Sequence, residues 1–357
     1  MDRVVKLHII SDMANQTSTN VGSHSPQPIS SQSKFLVTGA KGFIGAWVVK
    51  NLVERGDRPW IFDQDAQSHR LTALLTPAQM TQISFIEGDI TQKTDVEKAV
   101  GDHGITHIIH LAALQVPACA ANTVLGARVN VLGTLNVFET AKRRRDLVKS
   151  VVYASSAAVF GPEDLYGSET VEEGAPLQPT THYGVFKQCN EGNARVYFDN
   201  DGISSCSLRP WAVYGVGRDQ GITSGPTKAI KAAVVGRPYT IRFTGGLDLQ
   251  YVRDTAEIFL RCADAGLSGA RVYTLRGSVI EVSEFLKVLG ELLPPSRHLV
   301  KAEGGKLSIA YDLGDSALVR DLRDVPRTSL ETGIQETVAI FKALQLQGTL
   351  PTQDLDT

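Results

Sequence analysis

The sequence predicts an α/β protein: a doubly wound parallel sheet with a smaller C-terminal lobe. Three observations carry this. Short, continuously apolar runs recur from Lys34 onward, segments with helical apolar spacing separate most of them, and the alternation loosens after about Gly215. Strands that are apolar on both faces and separated by helices belong in a parallel sheet covered on both sides. A half-solvated antiparallel strand would alternate apolar with polar instead.

Residues 11–33 are rich in Ser, Gln, Asn and Thr, so 1–33 reads as a poorly ordered extension with little apolar surface to bury. "KFLVTG" (34–39) is the first strand, and "FIGAWVVKNLVERG" (43–56) is the helix after it, stopped at Gly56. "RPWIFD" (58–63) is the second strand; "ISFIEGD" (83–89), "THIIHLAA" (106–113), "KSVVYASS" (149–156) and "ISSCSLRP" (203–210) continue the sheet. Residues 34–214 are thus expected to form the main domain. Gly- and Pro-containing loops at 215–226 and 236–248 introduce further helical segments, so 215–345 is expected to be mostly the smaller, substrate-binding lobe. "RVYTL" (271–275) is expected to return as a strand of the main sheet, and 346–357 reads as a tail.

Composition excludes several functions. Of 357 residues, 42% are hydrophobic and 21% charged, enough for a sizeable core, and the net charge of −2 offers nothing to nucleic acid or an anionic membrane. The basic run Lys142–Arg145 falls where a helix should end, and cations are favoured there. Cys119, Cys189, Cys206 and Cys262 are scattered with no CxxC pair, which argues against a disulfide framework or a metal site and fits a reducing cytoplasm. No apolar run approaches a membrane span, and "VVKLHII" is too short for a secretory leader.

Two constellations carry chemistry. Gly39, Gly42 and Gly45 form GxxGxxG between the first strand and its helix. Glycines there allow a tight turn, a backbone approach to pyrophosphate and close helix packing, with the helix N-terminus facing the phosphates. Asp63, ending the second strand, is placed to accept hydrogen bonds from a ribose and to repel a 2′-phosphate, which favours NAD over NADP. Lys41 inside the loop is a counter-signal. The second constellation is Tyr183 and Lys187, one helical turn apart and therefore on one face.

Joined in this order, the two constellations resemble those of the extended short-chain dehydrogenase/reductases, also called NAD-dependent epimerase/dehydratases. Further matches are "GDI" (88–90), "HLAA" (110–113), "NVLGT" (130–134), "SSAAVFG" (155–161), "LRPWAVYG" (208–215), "YVRDTA" (251–256) and "DVPRTSLETGIQETV" (324–338). The resemblance covers roughly 34–345 and implies a Rossmann domain. It implies cofactor contacts from Gly39, Lys41, Gly42, Phe43, Ile44, Gly45, Asp63, Asp89, Ile90, Leu111, Ala112, Ala113, Asn130, Tyr183 and Lys187. It implies a catalytic set of Ser156, Tyr183 and Lys187, with Ser156 preferred to Ser155 by counting back from Gly161. Tyrosine has a pKa of about 10 and is a poor base at neutral pH, so Lys187 and a cationic nicotinamide are expected to favour the phenolate. Gln115, Ser156, Ala157, Ala212, Arg218 and Arg253 are the expected substrate contacts.

Departures from the family pattern narrow the chemistry. Dehydratases of the family carry an Asp-Glu pair after the catalytic hydroxyl, and its decarboxylases a Glu; here Ala157 and Ala158 stand there, which argues against both reactions. Members acting on nucleotide sugars commonly have Asn at the position of Ala212 and Arg at that of Leu247. Without those phosphate contacts the expected substrate is small: a sugar, sugar acid or polyol, with Arg218, Arg242 or Arg253 available to a carboxylate. The expected activity is NAD-dependent oxidation of a secondary alcohol; the alternative is a sugar or nucleotide-sugar epimerase with tightly bound NAD. Surplus apolar residues on the helices beginning near Ala118 and Thr180 predict a homodimer.

Overall fold

A computed structural model describes residues 33–65, 67–167 and 169–356. The extension read over 1–33 lies outside these residues, Ser33 excepted. The strands are β1 (Phe35–Thr38), β2 (Trp60–Asp63), β3 (Ser84–Glu87), β4 (His107–His110), β5 (Ser150–Ala154), β6 (Ser205–Arg209), β7 (Ala212–Tyr214), β8 (Tyr239–Ile241), β9 (Gly246–Tyr251), β10 (Ala270–Thr274), β11 (Ser278–Glu281) and β12 (Val300–Ala302). The principal helices are α1 (Phe43–Glu54), α2 (Lys93–His103), α3 (Gly133–Arg143), α4 (His182–Asp201), α5 (Gly225–Val235), α6 (Val252–Asp264), α7 (Val282–Leu292) and α8 (Leu330–Leu346).

The central sheet has the order β10-β6-β5-β4-β1-β2-β3, and every neighbouring pair is parallel. Each strand expected from an apolar run is in it, including the return near 271–275. Alternation along the strands explains why those runs are continuous. Val37, Ile109, Val152 and Leu208 point into one core with α1 and α6, while Leu36, Ile108, Val151 and Tyr153 point into another with α2 and α3. Both faces of the inner strands are buried, so their runs are largely apolar, and the polar side chains among them, such as His110 and Arg209, are hydrogen-bonded.

After β3 the chain crosses back to β4 on the other side of β1. Connections diverge there, leaving a crevice beyond the carboxyl ends of β1 and β4, the usual ligand position in such sheets. The glycine loop after β1 therefore opens into it.

The segment 236–248, read as a loop, contains β8 and the start of β9. β7, β9 and β11 form a second, mixed sheet, and β8 pairs with β12. β7 and β8 are three residues long, too short for any alternation to register in sequence. The residues read as a tail are docked: Leu355 is buried, and both carboxylate oxygens of Asp354 lie 2.8 Å from the Lys231 ammonium on α5. Among the described residues no helix is long and apolar enough to cross a membrane.

Candidate active site

The cradle follows from the glycines. Gly39 has φ +67°, and a Cβ there would lie 2.5 Å from the Ala112 amide nitrogen. A Cβ on Gly45 would lie 2.4 Å from the Gly39 carbonyl oxygen. Neither position tolerates a side chain, because backbone occupies the space. The Gly42 amide donates to the Gly39 carbonyl at 3.0 Å and closes the turn. The amides of Phe43, Ile44 and Gly45 at the start of α1 find no acceptor among the described residues, as an anion-binding helix terminus requires. The Asp63 carboxylate accepts from the Lys41 and Gln64 amides at 3.3 and 3.0 Å and forms no ion pair among the described residues, leaving acceptor capacity for a ribose. The Lys41 ammonium pairs with Asp65, so the counter-signal in the loop is neutralised within the chain.

The loop after β4, carrying Leu111, Ala112 and Ala113, is tied to β1 through the Leu111 amide and Thr38 carbonyl at 3.0 Å. Asn130 sits in a π-helical turn, Arg128–Leu132, and spends both ends of its amide on Leu114: Oδ1 accepts its N–H at 2.7 Å and Nδ2 donates to its carbonyl at 2.9 Å. Buried and satisfied, the Asn130 side chain holds that loop instead of reaching a ligand. Ile90 likewise turns its side chain into the core against Gly133, and only its backbone is available. Asp89 caps the turn after β3 by accepting the Thr91 amide at 2.9 Å.

β5 delivers Ser155 and Ser156 to the same crevice, and α4 delivers Tyr183 and Lys187. Thr181 caps α4, its hydroxyl accepting the Gly184 amide at 3.1 Å. The Ser156 Oγ accepts the Ala158 amide at 3.1 Å, and its hydroxyl is near enough to Tyr183 to act on the phenol. The Lys187 ammonium lies 5.5 Å from the Tyr183 ring centroid and donates to the Ala154 carbonyl at 2.6 Å. Burial pushes its pKa down to about 8, against the opposing effects of Cys119 and Glu191. Burial raises the pKa of Tyr183; the Ser156 hydroxyl and then the Arg218 guanidinium oppose it.

The sequence profile of the NAD-dependent epimerase/dehydratase family matches residues 35–275. The chain belongs to this family. Among its relatives, short-chain dehydrogenase/reductase family 42E member 1 of Homo sapiens is 30% identical over 284 residues, which is 73% of this chain and 68% of the relative. A UDP-glucose 4-epimerase of Mycolicibacterium smegmatis is 28% identical over 241 residues, 66% of this chain and 75% of the relative. A partial-consensus L-threonine 3-dehydrogenase shares the fold with a TM-score of 0.77 at 23% identity, covering 87% of this chain and 99% of that one. The Thermus thermophilus UDP-glucose 4-epimerase in complex with NAD has a TM-score of 0.73 at 25% identity, covering 87% of this chain and 99% of that one.

The protein is thus an extended short-chain dehydrogenase/reductase, and its cofactor is NAD. The cradle fits that molecule: its helix-start amides find no acceptor among the described residues, Asp63 keeps acceptor capacity, and Lys41 is paired with Asp65. Among the described residues no cluster of His, Cys, Asp and Glu could hold a metal ion.

The expected substrate contacts divide. Gln115 and Arg218 meet at the crevice: a Cβ on Gly221 would lie 2.2 Å from the Gln115 Oε1 and 3.1 Å from the Arg218 Nη2. Ala157 is buried in an apolar cluster with Phe160 and Leu313, and Ala212 and Leu247 lie in the main core, so none of the three has surface to offer a substrate. Arg253 is spent on Glu336 at 2.9 Å and Thr328 at 3.3 Å, between α6 and α8. Its position beside a family motif does not carry it into the crevice.

Sequence reasoning passed over three supports of the site. Gly184 follows Tyr183, and a Cβ there would lie 2.2 Å from the Ala158 carbonyl oxygen, so its absence lets α4 press against the serine turn. Glu191, at i+4 from Lys187, accepts the Ser155 hydroxyl at 2.5 Å and a two-pronged Arg209 at 2.9 and 2.7 Å. His110 is held between the Thr38 and Thr134 hydroxyls at 2.7 and 3.1 Å; burial and then the Lys187 charge push its pKa down to about 3, so it is neutral. Only the periodic YxxxKxxxE spacing on α4 could have pointed to any of these.

Proposed function

We propose that the protein oxidises a secondary alcohol of a small, carbohydrate-like substrate (a sugar, sugar acid or polyol), with NAD as oxidant. The observation that carries this reading is the convergence of Ser156, Tyr183 and Lys187 on the crevice beside the cradle, with methyl groups at 157 and 158 where an acid pair would serve dehydration. The buried state of Ala212 and Leu247 favours a substrate without a nucleotide diphosphate, because neither position can offer a charge-assisted phosphate contact.

Bound in the cradle, NAD supplies the acceptor for the hydride that leaves the alcohol carbon. The chain's own residues handle the proton and the geometry. The Ser156 Oγ hydrogen-bonds the substrate oxygen and sets it toward Tyr183. The Tyr183 Oη, as phenolate, takes the hydroxyl proton while the carbon–oxygen bond becomes a carbonyl. Lys187, mostly protonated at neutral pH and anchored on the Ala154 carbonyl, holds the ribose side of the cofactor and the tyrosine ring.

The test follows NADH at neutral to alkaline pH with the purified chain, NAD and panels of free sugars, sugar acids, polyols and nucleotide sugars. Accumulation of NADH in step with ketone supports the dehydrogenase. Interconversion of a sugar without NADH release would make the protein an epimerase. Tyr183→Phe is expected to lower turnover by about 100- to 10,000-fold while NADH still binds; wild-type-like turnover in that variant would end the assignment.

A further inference from the structure

We infer that the substrate carries a carboxylate near the carbinol that is oxidised, and that Arg218 is the residue that holds it. The inference rests on the proposed oxidation at Tyr183 and names the class of alcohol: a hydroxycarboxylate.

Arg218 carries a charge with no ion-pair partner among the described residues. The Nε of Arg218 is shut off from solvent and has no hydrogen-bond partner. Its Nη2 donates to the Thr223 hydroxyl at 3.0 Å, a neutral acceptor, and its guanidinium lies 5.8 Å from the Phe43 ring centroid. The obvious candidate for a partner, Asp219, is next in sequence; its carboxylate is engaged by Arg70 at 2.5 Å and His69 at 3.0 Å and reaches Arg218 only as a through-space charge. Arg70 is itself fixed, donating to the Gly217 and Lys41 carbonyls at 2.9 and 3.0 Å, so this arrangement is braced on the cofactor loop.

Removing a guanidinium from water without a partner is costly, and buried charges are normally paired. Burial does lower the pKa of Arg218, to about 10, which leaves it cationic at neutral pH. Its charge also acts on Tyr183, so the two side chains are neighbours in the site. A planar guanidinium with a free Nε suits a planar carboxylate. Gln115, against the same loop, adds a neutral amide that can hydrogen-bond a neighbouring hydroxyl. A carboxylate here would also balance the cation as the substrate closes the site.

The experiment uses the full chain with matched probes that differ only in charge: gluconate against glucitol, and 3-hydroxybutyrate against butane-1,3-diol. NADH formation is measured with each. In parallel, malonate is titrated calorimetrically into NADH-loaded protein, with uridine diphosphate and inorganic phosphate as separate arms. Malonate is expected to bind the wild type and to compete with the oxidised alcohol. Arg218→Met is expected to weaken malonate by about 10- to 100-fold, the loss typical of hydrogen bonds to a charged group, while NAD affinity is kept and Arg218→Lys recovers part of the binding. Oxidation of the acid member of a pair over its neutral twin supports the inference without any variant. Equal or better turnover of the neutral alcohols, with no malonate binding, overturns the inference and leaves the dehydrogenase standing. Malonate binding with no NADH from any alcohol supports the anion site and overturns the dehydrogenase. Weakened NAD binding in Arg218→Met would assign the residue to the cofactor pyrophosphate, and preferential binding of uridine diphosphate would assign it to a phosphate ester; either overturns the carboxylate.

Discussion

Asp63 shows how one side chain can set cofactor choice. It ends β2 with its carboxylate on the backbone of the cradle, and the cation that might have neutralised it, Lys41, is occupied by Asp65. The carboxylate therefore remains an acceptor for ribose hydroxyls and a repellent for a 2′-phosphate. Asp63→Ala is expected to weaken NAD by about 10- to 100-fold, the cost of lost hydrogen bonds to a charged acceptor, and to narrow the discrimination against NADP. Measured kcat/KM for both cofactors checks it; a wild type that prefers NADP would contradict the role given to this residue.

At the scale of elements, the spacing between β5 and α4 sets the distance between Ser156 and Tyr183. Two features fix it. Gly184 removes the side chain that would keep the helix off the Ala157–Val159 turn. Glu191, two turns further on, binds the Ser155 hydroxyl and the buried Arg209, whose Nη1 also donates to the Glu173 carbonyl at 3.0 Å. One carboxylate thus bolts the helix to the strand ends on either side of the site. Gly184→Ala is expected to lower kcat by about 10-fold or more, since displacement of a catalytic group by about an ångström can cost on the order of 100-fold, while NADH binding changes little. Steady-state kinetics with fluorescence titration of NADH distinguishes this from unfolding; an unchanged kcat would mean that the helix can yield without moving Tyr183.

For the whole molecule the open question is association. Val124 is 67% exposed, Val196 51% and Val185 46%, and Leu125 and Leu132 are exposed as well. All lie on α4 or on the helical run 123–132 packed beside it, where Phe186 meets Gly126. These are the two segments whose surplus of apolar residues predicted a dimer, and the fold leaves part of that surplus exposed on both. Isologous pairing of two copies would cover it. Light scattering at micromolar concentration is expected to give about twice the 38.6 kDa of one chain, and Val124→Glu with Val196→Glu to shift the protein toward monomer. A wild-type mass of a single chain would refute this.

Much of the protein was determined by the sequence alone. Strands of a sheet covered on both faces are largely apolar, so the runs at β1 to β6 and β10 announced themselves, although β3 and β10 at the edges are only partly buried, and the crossover arithmetic of a parallel sheet followed. Glycines that only a backbone approach explains marked the loop after β1, and the four-residue spacing of Tyr183 and Lys187 marked the helix face on which the proposed chemistry rests. What local pattern could not carry was which distant groups would meet. Arg218 and Arg253 look alike in sequence, yet packing spends one on Glu336 and leaves the other without an ion-pair partner among the described residues, near enough to Tyr183 for their charges to interact. Ala212 and Leu247 read as cleft positions, and strand register turned them into the core. The bond from Glu191 to Ser155 and Arg209 joins residues 36 and 18 positions apart. Such pairings depend on the three-dimensional closure of the chain, where burial decides which charges must find partners and which remain available to a ligand.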